Sequence, residues 1–112
     1  MAMPDTAKNR RYPRIGLPRG MPVGWQRMGV HAVSRVGTLG LGGLFIDAPD
    51  PPPLGEMIQL FFQVPEGEVR ARAIVRDSHP GKGMGVEFTY MPSEGRARLH
   101  RLLTKLLGTL DS

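Results

Sequence analysis

The chain of 112 residues has no cysteine, which rules out a disulfide framework, a thiolate metal site and cysteine nucleophile chemistry. No run approaches the roughly 20 apolar residues that a membrane-spanning helix needs. The polar, basic start from Met1 to Arg14 has no apolar run behind it to serve as a signal peptide. The expectation is a cytoplasmic protein with no membrane insertion. Aromatic residues make up only 6%, leaving few platforms on which nucleic-acid bases could stack. His31, His79 and His100 are scattered without metal-ligand spacing. No nucleophile motif, phosphate loop or paired-carboxylate pattern occurs. Nothing points to an enzyme, a metal or a cofactor.

What is abundant is glycine (15) and proline (11), residues that helical bundles avoid and turn-rich β proteins use. The length suits one domain better than two cores. Positive charge is concentrated at one end. Residues 1–37 hold Lys8, Arg10, Arg11, Arg14, Arg19, Arg27 and Arg35 against Asp5 alone. The remainder is close to neutral, so an anionic partner is expected at the N-terminal third.

Along the chain, residues 1–9 carry little hydrophobicity and read as a flexible lead-in to a domain spanning 10–110. Val23 to Val36 can supply two short strands, with Val30, Val33 and Val36 as apolar points. Leu39 to Ile46 reads as a tight glycine turn feeding a buried strand at Leu44-Phe45-Ile46. Prolines 51 to 53 impose a stiff loop. Met57 to Val64 is an apolar strand. Val69, Ala71, Ala73 and Val75 then alternate with Arg70, Arg72 and Ile74, the period of a strand with one buried face. Met84, Val86 and Phe88 repeat that pattern. At the end the period lengthens: Leu99, Leu102, Leu103, Leu106 and Leu110 form one apolar helix face. The spacing predicts a helix over about 93–107, capped by Ser93 and stopping near Gly108. Its apolar face must cover an open barrel end or a partner.

The order of these features resembles the PilZ domain family. Arg10 and Arg14 supply an Arg-x-x-x-Arg motif at the N-terminal edge. Thr38-Leu39-Gly40-Leu41-Gly42-Gly43 occupies the place of the family's Asp/Asn-x-Ser-x-x-Gly motif. Pro53-Leu54-Gly55, Ala73-Ile74-Val75-Arg76 and Gly85-Val86-Glu87-Phe88 are similar to the family's later barrel segments, so the likeness covers about Arg10 to Leu107. It implies a mainly β fold, a six-stranded antiparallel split barrel with a C-terminal amphipathic helix. It also implies a non-enzymatic receptor for cyclic di-GMP, with Arg10, Arg11, Arg14, Arg35, Thr38, Gly40, Gly42 and Gly43 as ligand-binding residues. Arginine suits both halves of that ligand, because its planar fork pairs with phosphate oxygens and with the O6/N7 edge of guanine. Gly42 and Gly43 fit either a positive-φ turn or a close approach of backbone to ligand.

Thr38 and Gly40 depart from the motif. A carboxylate can accept two bonds from guanine's N–H edge, whereas a threonine hydroxyl offers one neutral acceptor and glycine none. Each missing contact costs on the order of 1–2 kcal/mol. Two further functions stand beside this one, the first favoured by that loss and the second by the basic N-terminal third. One is a protein-interaction module without the nucleotide, docking through the Leu99–Leu110 helix on an unidentified partner or a second copy. The other is sequence-independent nucleic-acid binding, ranked last. Trp25, the single tryptophan, reads as a core residue rather than a ligand platform.

Overall fold

The computed structural model describes residues 14–16 and 20–111. Seven strands and one helix follow in order. They are β1 (Arg14–Gly16), β2 (Pro22–Arg27), β3 (Val30–Gly40), β4 (Gly43–Asp47), β5 (Met57–Val64), β6 (Gly67–His79), β7 (Gly83–Tyr90) and α1 (Ser93–Asp111). All pairings are antiparallel, and the order β3-β2-β5-β6-β7-β4 returns to β3 through a β3–β4 ladder. Six strands therefore close into a barrel, and β1 adds to β3 outside that ring.

Alternation builds the barrel wall. In β5 every second residue (Ile58, Leu60, Phe62, Val64) is buried, while Met57, Gln59, Phe61 and Gln63 are exposed. In β6, Val69, Ala71, Ala73 and Val75 face inward, and Arg70, Arg72 and Arg76 face out. Leu39, Leu44, Ile46, Met84 and Val86 complete the core with no accessible surface. Trp25 joins them, its indole Nε1 donating to Ser34 Oγ at 3.0 Å, so both ends of the side chain are satisfied. Pro52 is buried as well, and Ser78 Oγ donates to its carbonyl, so the proline loop is sewn to β6.

The expectation for Val30 and Val33 fails. Both are exposed, Val33 by 81%, and only Val36 reaches the core. They stand on the outward arm of the β2–β3 hairpin, whose two-residue turn Met28-Gly29 has positive φ at both positions (47° and 81°). That is the turn geometry matching the twist of paired strands.

The helix lies on the barrel, not on a partner. Leu99 and Leu103 are buried in the shared core, and Leu102 and Leu106 pack against it. Arg98 lies over Gly67 and donates to Glu68 O at 2.8 Å, and Arg101 pairs with Glu66, so the β5–β6 turn is clamped to α1. The helix starts at Ser93 as expected, but its cap and its far end differ from the reading. Its first bond runs from Arg96 N to the Pro92 carbonyl at 3.0 Å, which puts Pro92 at the cap position in place of Ser93. At the far end it continues through Gly108 to Asp111.

Two glycines show how tightly the wall is set. A Cβ on Gly83 would stand 2.1 Å from the Ile46 carbonyl oxygen, which is backbone and cannot give way. A Cβ on Gly24 would meet only the Phe61 ring at 2.4 Å, and that ring is 40% exposed and free to swing outward. Gly83→Ala is expected to lose about 2–3 kcal/mol by overpacking, and Gly24→Ala under about 1.5. Urea denaturation midpoints of the two variants measure the difference.

Candidate functional site

The strand β3 brings the two sequence motifs together. Its residues Val30–Arg35 pair with β2, its residues Arg35–Leu39 pair with β4, and its last residues pair with β1. The β1 register is Arg14 opposite Gly40, Ile15 opposite Leu39 and Gly16 opposite Thr38. Ile15 and Leu39 are both buried. Strand alternation then assigns Gly16, Thr38 and Gly40 to the outer face.

A β-bulge at Gly37 makes this arrangement fit. The β3–β4 register shifts between Val36 and Thr38, so Val36 and Leu39 both point into the core while Arg35 and Thr38 point out. Without the extra residue, a spacing of three would put Val36 and Leu39 on opposite faces. The hairpin then turns through Leu41-Gly42 into β4. The Gly42 carbonyl accepts from Phe88 N at 2.9 Å, and Gly43 pairs with Glu87 of β7.

The outer face so formed has a low floor. Gly16, Gly40 and Gly43 contribute no side chains; Gly40 and Gly43 are buried, and Gly16 is exposed with open space where a side chain would stand. Thr38 and Phe45, opposite one another across β3 and β4, rise from it, each half-buried. The Phe45 ring lies against Gly83, with the His79 ring 6.5 Å away between centroids. One row over, Arg35 stands opposite Asp47. The Arg35 stem runs over Gly20, whose φ of 71° only glycine adopts readily. Gly42 and Gly43 are not among the described glycines of positive φ, and the chain bends at Leu41-Gly42 straight into β4.

Of the residues expected to bind ligand, Arg35, Thr38, Gly40, Gly42 and Gly43 thus share one face or its bordering turn. The backbone of Arg14 is hydrogen-bonded beside them. Arg10 and Arg11 lie outside the described residues. Two outward residues escaped the sequence reading, Phe45 and Asp47. The signal for them was present, since Leu44 and Ile46 point inward and the residues alternating with them must point out. Among the described residues no group of three or more His, Asp and Glu is arranged to hold a metal ion. No described helix is long and apolar enough to cross a membrane.

A closed six-stranded barrel with one added strand and a covering helix defines a small β-barrel domain. The PilZ domain matches residues 8–105, and the chain belongs to that family. No curated protein matches the sequence. Among solved structures, the fold is similar to MotI/DgrA, an inhibitor of motility from Bacillus subtilis. The TM-score is 0.70 at 19% identity, over 89% of this chain and 52% of that one. It is also similar to MrkH of K. pneumonia in its complex with c-di-GMP. There the TM-score is 0.72 at 15% identity, over 92% of this chain and 53% of that one. The PilZ domain of CeSA from a cellulose-synthesizing bacterium gives a TM-score of 0.64 at 16% identity, over 84% of this chain and 97% of that one. The chain therefore spans about half the length of MotI and MrkH and nearly all of the isolated CeSA domain.

Proposed function

We propose that the chain is a non-enzymatic receptor domain for cyclic di-GMP that reports its bound state to a protein partner. The observation that carries this reading is the β1–β3 register, which sets Arg14 opposite Gly40 and Gly16 opposite Thr38. A ligand with two phosphates and two guanines needs a flat surface for a base and forked donors at its edge. The glycine floor offers the first. Arg14 and Arg10 would offer the second, each making charge-assisted bidentate bonds. Membership of the PilZ family supports the reading, as does a neighbour solved with c-di-GMP. Arg11 would add a further cation, and closure of the Arg10–Arg14 segment over the ligand would be the signal that a partner reads.

A second reading is a PilZ-type interaction module that has lost the nucleotide. Thr38 and Gly40, which bring no carboxylate or hydroxymethyl to the floor, favour it. The helix is no longer its docking element, since the Leu99–Leu103 face is spent on the barrel. The exposed apolar residues Met28 of the β2–β3 turn, Val30 and Val33 of β3 and Phe61 of β5 would take that role.

Calorimetric titration with cyclic di-GMP separates the two. Arg10→Ala and Arg14→Ala are each expected to weaken binding at least about ten-fold, the worth of one charge-assisted bond. Unchanged affinity in both variants refutes the proposed site.

A further inference from the structure

We infer that Asp47 reads the guanine edge of the ligand, supplying from the neighbouring strand the carboxylate that position 38 lacks. This rests on the cyclic di-GMP reading above. Asp47 lies on the outward face of β4, between the buried Ile46 and Ala48. Its cross-strand partner is Arg35, and Phe45, two residues before it, is the partner of Thr38. The carboxylate folds over the bulge: a Cβ on Gly37 would stand 3.2 Å from Oδ1 and 3.7 Å from Oδ2. Both oxygens thus overhang the residue next to Thr38, and glycine at 37 is what leaves them room.

The chemistry matches. Guanine presents two adjacent donors, N1–H and the 2-amino group, and a carboxylate presents two adjacent acceptors at the same spacing. Thr38 below can satisfy at most one of them. Asp47 is also uncommitted, with no hydrogen bond or ion pair of its carboxylate among the described residues. The other acids nearby are less suited. Glu87 is held by Arg76 at 2.7 Å, and Asp77 lies two strands beyond Phe45, over Gly85.

The test compares cyclic di-GMP with cyclic di-IMP, whose hypoxanthine bases lack only the 2-amino group. The unmodified chain is expected to prefer cyclic di-GMP by about ten-fold, the value of one hydrogen bond to a charged acceptor. Asp47→Asn places an amide donor against the base donors. Cyclic di-GMP affinity should fall about ten-fold or more, and the preference over cyclic di-IMP should disappear. The double variant Asp47→Asn with Thr38→Asp should regain the preference, because it returns a carboxylate to the same floor. Asp77→Asn should change neither quantity. Retention of affinity and preference in Asp47→Asn, with folding verified by circular dichroism, overturns the assignment. Absence of binding to either dinucleotide by the unmodified chain instead overturns the receptor reading, and this inference with it.

Discussion

Everything in this domain hangs on the strand β3 and its bulge. One strand of eleven residues pairs with β2 through its first half and with β4 through its second, and in doing so closes the ring. Its last three residues also hold β1. The added residue at Gly37 lets Val36 and Leu39 both sit in the core while Arg35 and Thr38 remain outside. Closure removes the unpaired edges that an open sheet would expose. The same bulge sets which groups stand above the outer surface. The filling of the core and the make-up of that surface therefore both depend on this bulge, which stands beside two further register shifts in the β6–β7 ladder.

The helix acts on a different side of the same problem. Leu99 and Leu103 complete the core at the barrel surface where β5 and β6 turn, and the contact is made specific by Arg98 on the Glu68 carbonyl. The pairs Arg70–Glu68 and Arg76–Glu87 are exposed, so they contribute little beside the buried leucines. They have another effect, since each neutralises an arginine of β6. The net positive charge of the sequence lies in the N-terminal third.

Legibility in the sequence followed the regularity of the backbone. The strict alternation of β5 and β6, and the leucine spacing of α1, could be read directly, because one face of each is buried and the period is unbroken. Three features could not be read. The Met28-Gly29 turn lacks the asparagine or aspartate that advertises its type, so the exposure of Val30 and Val33 beyond it stayed hidden. The bulge at Gly37 breaks the period of two, and nothing local to one strand specifies it, since it arises from the register with β4. The outward position of Asp47 followed from the alternation of β4, but its relation to Gly37 and Thr38 exists only once the hairpin is paired. Family likeness reached the fold and the motif positions, and it could not reach a group that the motif does not contain.

The outer face can change its ligand chemistry at small cost to the fold, and this bears on how Thr38 and Gly40 should be read. Neither contributes a large apolar side chain to the core, which is filled by Ile15, Val36, Leu39, Leu44 and Ile46. A substitution at the half-buried Thr38 therefore leaves the filling of the core untouched, whereas Gly40 is itself buried. Loss of a carboxylate at one position says nothing about whether the face retains one, because cross-strand neighbours bring residues from two strands to the same few ångströms. The backbone of Arg14 is already fixed by its ladder with Gly40, so its ordering is not charged against the ligand. A pre-ordered edge, a flat floor and a free carboxylate are what guanine recognition requires. On the proposed reading they would come from β1, β3 and β4 together, not from one contiguous motif.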